Sequence, residues 1–301
     1  MVNFKPQTAT LIHLPTALDM AEYAARLCYN SSKPQREDYD QVKFLKALAH
    51  KGHLTPFEHA WFAIPIGDNF DDLTKEELQA ISKVSGRPRN EVVWDNILDF
   101  VVANMRTFIE VVGTDKTFDL AQKFNKDYYE AQGWYTFEII TSRAIGNQLI
   151  RHRSLSFEST WELPEFSVNQ ESLRWVPQGE PSVCIGETYK KMLDKNPGIK
   201  ADWIHSICRS FEDYSHLCDN FKKEFARTVL PLCTATRLLM TGNGHTWAKF
   251  LELRLDKAAE PQMRELAIDI FMQLKDYLTL SEGYCADAEP FRTILQESSC
   301  S

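Results

Sequence analysis

The middle of the chain carries its densest collection of side chains suited to binding a charged ligand. Arg151, His152 and Arg153 stand in a row, and 167–174 (SVNQESLR) combines hydroxyls, amides and the guanidinium of Arg174. Polar groups of this kind are costly to bury unless each finds a hydrogen-bond partner. Arginine can hold a phosphate through two parallel hydrogen bonds. The composition therefore predicts a site for a phosphorylated ligand, although a basic triplet alone is also typical of a solvated helix end.

The same stretch resembles the signature of the flavin-dependent thymidylate synthases, RHR-x-x-S-x-N-E-x-S-x-R preceded by S-R-A-x-x-x-Q-L. Residues 142–149 (SRAIGNQL) match the leading part, and 167–174 match the trailing part. This chain departs from the signature in two ways. Eleven additional residues place the trailing serine at Ser167 where the pattern expects Ser156, and Gln170 replaces a glutamate. The glutamine removes a carboxylate while keeping its size and an acceptor oxygen.

Three further segments resemble signatures of this family, in the family's order. Residues 52–59 (GHLTPFEH) resemble G-H-x-T-P-x-E-H, which meets the flavin, and 226–232 (ARTVLPL) resemble A-R-x-V-L-P-L, which meets the nucleotide phosphate. Residues 243–256 resemble N-x-x-x-x-x-N-F-L-x-L-R-x-D, with Lys249 in place of an asparagine and Arg254 on the catalytic arginine. The chain is identified as a member, or a close divergent relative, of this family.

The resemblance assigns roles to individual residues. The side chains expected to bind FAD are Thr55, Glu58, Arg151, His152, Arg153, Asn243 and Lys249. Those expected to bind the substrate are Gln148, Gln170, Ser172, Leu173, Arg174, Arg227 and Arg254. Arg254, Gln148 and His53 are the expected catalytic residues, with Arg254 as the cation that stabilises charge developing on a pyrimidine ring.

The reaction implied is transfer of a one-carbon unit from 5,10-methylenetetrahydrofolate to C5 of a pyrimidine deoxynucleotide monophosphate, with FAD as cofactor and NADPH as reductant. The expected conversion is dUMP to dTMP. The resemblance also implies a homotetramer whose active sites are shared between subunits. No enzyme nucleophile is expected, because no histidine or carboxylate in the motif is spaced to activate Ser172. No metal is expected either, since His53, Glu58 and His59 lack further ligands at the usual spacing.

Two alternatives remain open at this point. One is a related enzyme that acts on dCMP or adds a hydroxymethyl group, which Gln170, Lys249 and the eleven-residue insertion favour, because an amide can donate as well as accept. The other is an inactive flavin- or nucleotide-binding regulator. Arg254 and Gln148 argue against the regulator, since a pure binder does not need a cation over the reacting ring.

Composition limits the classes of partner. The 301 residues carry a net charge of -8, which argues against general affinity for nucleic acid. Seven widely spaced cysteines without a C-x-x-C pair are typical of reduced thiols in a cytoplasmic protein. Neither a signal peptide nor an apolar run approaching eighteen residues is present, so we expect no membrane span.

The fold class predicted is α+β, a single domain over 1–301 with a mixed sheet, flanking helices and a helical insertion at about 67–133. Expected strands lie at 8–14, 61–66 and 135–140, and expected helices at 16–29, 39–51, 142–153, 202–224, 243–254 and 261–280. Within the insertion, Thr74 and Glu77 predict a capping box, and apolar spacing predicts helices over 90–112 and 118–132. The insertion is expected to act as a lid, as an oligomer interface or as a helical decoration without function. Residues 176–200 are expected to be rich in loops.

Overall fold

The structure is a computed structural model that describes residues 2–35, 37–66, 72–84, 92–95, 100–124, 134–152 and 166–282. Its strands are β1 Asn3–Lys5, β2 Thr8–Leu11, β3 Trp61–Pro65, β4 Val92–Asp95, β5 Phe100–Asn104, β6 Trp134–Ser142, β7 Ser167–Gln170, β8 Ser182–Cys184 and β9 Ala235–Asn243. Its helices are α1 Ala17–Tyr29, α2 Gln41–His50, α3 Lys75–Val84, α4 Met105–Val112, α5 Thr114–Lys123, α6 Arg143–Ile150, α7 Glu187–Asp194, α8 Pro197–Asn220, α9 Lys223–Ala226, α10 Gly244–Arg254 and α11 Pro261–Glu282.

The central sheet has the strand order β2-β6-β9-β7, and every pairing in it is antiparallel. Its two long strands pair along their full length, from Trp134 opposite Asn243 to Ser142 opposite Ala235. The expected α+β class is confirmed. Parallel pairing within the described residues is confined to the two-stranded sheet of β1 and β8, so the central sheet itself is not mixed.

Side chains alternate between the two faces of the central sheet, as the two-residue repeat of a strand requires. Phe137, Ile139 and Leu238 face a core shared with α6, α10 and α11. Leu239 faces the opposite core, which is built from α1, α2, α4, α5 and the antiparallel sheet β3-β5-β4. Helices therefore cover both faces of the sheet.

Three N-terminal caps define where key helices begin. Thr16 Oγ1 accepts from the amide of Asp19 at 3.0 Å, and Asn243 Oδ1 accepts from the amide of Thr246 at 2.8 Å. Ser142 Oγ accepts from the amide of Ile145 at 3.3 Å. Each cap satisfies a backbone donor that the first turn of a helix leaves without a partner. Because β6 and β9 are antiparallel, α6 and α10 start at opposite ends of the sheet and bring their C-terminal ends together.

The prediction of one long helix over 90–112 is wrong. The chain forms β4, β5 and then α4. Val101, Val102 and Ala103 are all buried, because β5 is the middle strand of its sheet and both of its faces are covered. A continuous apolar run fits a buried strand as well as a helix, and the pairing with β3 decides between them. The insertion is therefore mixed α and β rather than helical, although the capping box of Thr74 and Glu77 is confirmed.

Two other predictions change in extent. The helix expected over 118–132 is α5, which begins at Thr114 and ends at Lys123, and 125–133 lie outside the described residues. The stretch expected to be rich in loops, 176–200, contains β8, α7 and the start of α8. None of the helices that the structure describes is both long and apolar enough to cross a membrane.

Candidate active site

Several of the predicted site residues lie on α6 or directly after it. Buried polar atoms of Arg143 and His152 in this region have no hydrogen-bond partner among the described residues. The helix begins at Arg143 and ends at Ile150, with Arg151 as the exposed C-cap residue. Ile145 and Leu149 are buried against the central sheet and fix the orientation of the helix. Arg153 and the eleven-residue insertion lie outside the described residues.

His152 follows α6 and is 6% exposed. Its ring lies 5.2 Å from the Phe250 ring and 5.8 Å from the Phe166 ring, measured between centroids. Burial, together with the smaller effect of the positive charge of Arg254, lowers the pKa of His152 to about 4. The imidazole is therefore neutral at neutral pH. Its Nε2 atom is buried and has no hydrogen-bond partner among the described residues.

Arg254 is the last residue of α10, and its Nε is also buried without a hydrogen-bond partner in the part of the chain that the structure describes. Its positive charge contributes to the lowered pKa of His152. Buried polar atoms in native proteins are nearly always hydrogen-bonded. The two nitrogen atoms are therefore candidates to bind a ligand.

Gln148 lies one helical turn before His152 and is half-buried. Its Nε2 donates to Glu260 Oε2 in a short hydrogen bond. Glu260 precedes α11 and also accepts from the Tyr189 hydroxyl, so that burial and this carboxylate raise the pKa of Tyr189. The predicted base-reading glutamine is therefore held by a carboxylate that the sequence signatures do not contain.

The start of α6 carries a second charged group, Arg143. Its Nη2 donates to the Glu171 carbonyl at 3.0 Å, while its Nε is buried with no hydrogen-bond partner among the described residues. Burial lowers the pKa of Arg143 to about 10, the charge of Glu171 opposes this, and the nearby charge of Arg227 adds to it. Two like charges in close proximity are typical of an anion site. Arg143 stands in the S-R-A signature, but sequence reasoning assigned it no role.

The predicted phosphate ligands Arg174 and Ser172 lie beside this second group. Glu224, from α9, accepts from Arg174 Nε at 3.2 Å and from Nη2 at 3.1 Å. Ser172 Oγ accepts from the Arg174 amide at 3.3 Å, and the half-buried Leu173 lies between them in the turn. Arg227, exposed, follows α9 directly. The structure thus brings Arg143, Arg174 and Arg227 to one region.

Gln170 occupies the side of β7 that faces α6. Its Nε2 donates to Thr236 Oγ1 at 3.1 Å and would lie 3.0 Å from a Cβ atom placed on Gly146. The close approach of strand and helix at this point depends on that glycine. The amide is therefore engaged in packing α6 onto the sheet. Its reading of a base stays a prediction.

The G-H-x-T-P-x-E-H segment lies on the other face of the sheet from α6. His53 is exposed and Thr55 is half-buried at the start of a 3-10 turn. Glu58 is buried and accepts from Arg106 Nη1 at 2.6 Å, and His59 Nδ1 lies 2.7 Å from Thr241 Oγ1. The 3-10 turn contacts β7, an edge strand of the central sheet. Phe166 directly precedes β7, and its ring contacts the ring of His152 on the opposite face of the sheet.

The remaining predicted flavin ligands, Asn243 and Lys249, are spread along α10. Asn243 caps the helix through Thr246, and Lys249 Nζ donates to Glu252 at 3.0 Å on the exposed side. The exposed Lys249 and the buried Nε of Arg254 therefore lie on different sides of α10. Among the described residues, no group of three or more histidine, cysteine or acidic side chains is placed to hold a metal ion.

Comparisons with known proteins place this site in a family. Residues 10–69 and 131–278 match the Thy1 family, described as thymidylate synthase complementing protein. The matched residues exceed half of the chain, which therefore belongs to this family, and the resemblance to flavin-dependent thymidylate synthases is confirmed. The stretch between the two matched parts, which contains α3, β4, β5, α4 and α5, lies outside the match.

Individual relatives are distant. A flavin-dependent thymidylate synthase of Synechocystis sp. is 32% identical over 147 residues, which cover 46% of this chain and 66% of the relative. Those of Mycobacterium marinum and Mycobacterium tuberculosis are each 29% identical, over 44% of this chain and 54% of the relative. The match thus spans between about half and two thirds of these relatives. A solved UMP/dUMP methylase, PolB from Streptomyces cacaoi, aligns over 97% of each chain with 15% identity and a TM-score of 0.43.

Proposed function

We propose that this protein is a flavin-dependent thymidylate synthase that converts dUMP to dTMP. The observation that carries the proposal is a pair of buried nitrogen atoms, His152 Nε2 after the end of α6 and Arg254 Nε at the end of α10, which have no hydrogen-bond partner among the described residues. Gln148 lies one helical turn before His152. These residues occupy the positions where the family signatures place the substrate and the flavin.

The residues fit the cofactor that the family implies. FAD carries hydrogen-bond acceptors on its ring system and anionic oxygens on its pyrophosphate, and this chain has no G-x-G-x-x-G loop to bind the pyrophosphate. The neutral His152 and the cation Arg151 would hold FAD from α6, and Thr55 would do so from the other side of the β7 edge. When bound, FAD would supply the hydride that completes the methyl group, with NADPH as the source and methylenetetrahydrofolate as the carbon donor.

The protein's own side chains would act on the pyrimidine. Negative charge on the pyrimidine ring makes C5 nucleophilic toward the one-carbon donor, and Arg254 would stabilise that charge as it develops. A guanidinium whose Nε is buried and has no hydrogen-bond partner among the described residues is prepared for this role, because it requires little reorganisation when the charge appears. Gln148 would bind the edge of the base.

The nucleotide phosphate would bind at the start of α6. Arg143, Arg174 and Arg227 converge there, and arginine suits phosphate because its planar fork makes two parallel hydrogen bonds. The guanidinium of Arg174 donates hydrogen bonds to the Glu224 carboxylate. The phosphate of the substrate would replace that carboxylate.

A homotetramer is part of the proposal. The candidate flavin ligands lie on opposite faces of the central sheet, which supports a cofactor site completed between subunits. Trp175, Phe221 and Phe225 are 60%, 56% and 54% exposed, and the rings of Phe221 and Phe225 lie 5.2 Å apart. Exposed aromatic groups of this kind are typical of protein interfaces. Light scattering on the purified protein is expected to give four times the mass of the chain.

Growth complementation tests the activity. A bacterial strain without thymidylate synthase needs thymidine, and expression of this chain is expected to remove that need. The chain with Arg254→Ala serves as the matched negative control. Failure to grow while the expressed protein carries bound flavin would contradict the conversion of dUMP. It would favour the alternative activity, in which the enzyme modifies dCMP.

A further inference from the structure

Gln148 and Glu260 form the most directed polar contact within the proposed site. The nitrogen Nε2 of Gln148 faces Oε2 of Glu260 in a short hydrogen bond, although the two residues are 112 positions apart in the sequence. An ionised carboxylate accepts hydrogen bonds and donates none. The amide nitrogen is therefore the only atom of Gln148 that can face Glu260.

The orientation of the amide has a consequence for the ligand. Nε2 carries two hydrogens and gives one of them to Glu260, which fixes the orientation of the amide plane; Oε1, the acceptor that Gln148 can offer a ligand, makes no hydrogen bond to another described residue. An acceptor in that position binds a donor. On the pairing edge of uracil the donor is the N3–H group, whereas cytosine has an acceptor at N3.

We propose that Glu260 is a specificity-determining positioning residue, which turns the carbonyl oxygen of Gln148 toward the base and so selects a pyrimidine that carries a hydrogen at N3. This inference rests on the proposed function, since it takes Gln148 as the residue that reads the base. Glu260 acts through Gln148 and does not itself touch the substrate.

Tyr189 fixes the orientation that an amide at position 260 is expected to adopt, and this makes the effect of a substitution there predictable. Its hydroxyl donates to Glu260, so an amide introduced by Glu260→Gln can accept from Tyr189 through oxygen and present its nitrogen to Gln148. Gln148 would then accept through Oε1 and turn Nε2 toward the ligand. That arrangement sets a donor against the N3–H of uracil and matches the N3 acceptor of cytosine.

The experiment measures the dissociation constants of dUMP and dCMP by calorimetry on the full-length protein loaded with FAD. The unmodified protein is expected to bind dUMP more tightly. Glu260→Gln is expected to shift the ratio of the two constants toward dCMP by about tenfold, the size of one or two hydrogen bonds gained or lost. Glu265→Gln removes an equal charge from α11 at a carboxylate that caps α7, and it is expected to leave the ratio unchanged.

A double-mutant cycle separates positioning from other effects. In a Gln148→Ala background, Glu260→Gln is expected to leave the ratio of the two dissociation constants unchanged. A shift that persists there would overturn the role through Gln148. An unchanged ratio in the single variant, with the melting temperature retained or lowered, would show that Glu260 only ties α6 to α11. If the unmodified protein binds neither nucleotide, the proposed function falls, and this inference falls with it.

Discussion

Glu58 and Arg106 form a buried ion pair in which Oε1 of the carboxylate lies 2.6 Å from Nη1 of the guanidinium. Glu58 belongs to the signature segment on the α1 side of the sheet, and Arg106 belongs to α4, in the stretch outside the family match. The two side chains are 3% and 19% exposed. The stretch between the matched parts is thereby joined to a signature residue by a specific contact.

Arg106→Ala is expected to destabilise the protein strongly. Removing one partner of a buried ion pair costs about 3–5 kcal/mol. The measurement is the free energy of unfolding in urea. Glu110→Gln, which disturbs the more exposed bond between Glu110 and Arg106, is the matched control and is expected to cost less than about 1 kcal/mol. Equal losses of unfolding free energy in the two variants would show that the Glu58–Arg106 pair stabilises the protein no more than the Glu110–Arg106 pair does.

Arg143→Ala is expected to weaken the binding of dUMP about tenfold to a hundredfold, because a hydrogen bond to a charged group contributes roughly 1.5–3 kcal/mol. The matched ligand is deoxyuridine, which has no phosphate. Its dissociation constant is expected to be the same for Arg143→Ala and the unmodified protein. A loss of similar size for both ligands would place Arg143 away from the phosphate.

The lowered pKa of His152 predicts a pH dependence of stability. Its folded value is about 4 against an ordinary 6.5, so the unfolded chain binds more protons within this window. Stability from this group is complete above pH 6.5 and is lost as the pH falls toward 4. His152→Asn is expected to reduce the slope of the unfolding free energy in this window by at most about 1.4 kcal/mol per pH unit.

The buried His59 provides an internal control for that measurement. Burial lowers its pKa to about 3, so it contributes a similar slope that His152→Asn leaves in place. Proton NMR offers a direct check, since neither ring is expected to titrate between pH 5.5 and 8. A His152 resonance with a midpoint near its ordinary value would contradict the buried environment described here.

Local sequence signals were sufficient for much of this fold. The helical spacing of apolar residues predicted α1 and α6, and the spacing of the last signature predicted α10, because this repeat depends on neighbouring residues alone. β5 was not predictable in this way. Its pairing with β3 brings together residues about forty positions apart, and that pairing overrides the helical spacing of its apolar residues.

The candidate site could likewise be predicted only in part from the sequence. The signatures indicated Gln148, His152 and Arg254, and the structure places Gln148 in the last turn of α6, His152 directly after that helix and Arg254 at the end of α10. The contacts that tune them come from distant parts of the chain. Glu260 reaches Gln148 across 112 positions, and Arg106 reaches Glu58 across 48, so no local pattern reveals either partner.

The catalytic role of Arg254 can be tested separately from flavin binding. Arg254→Ala is expected to lower product formation at least a hundredfold, because a preorganised charge-stabilising group contributes about 10²–10³ to the rate. The flavin absorbance of the purified variant is expected to persist. Lys257→Ala, which removes an exposed cation three residues further on, is the control and is expected to keep full activity. Full activity in Arg254→Ala would remove this residue from the chemistry.

The mass of the nucleotide product tests the central claim most directly. The purified protein would be incubated with FAD, NADPH and methylenetetrahydrofolate, with dUMP in one tube and dCMP in another. The account predicts that dUMP gains the mass of one methyl substitution and that dCMP remains unchanged. A hydroxymethyl product, or reaction of dCMP alone, would contradict it.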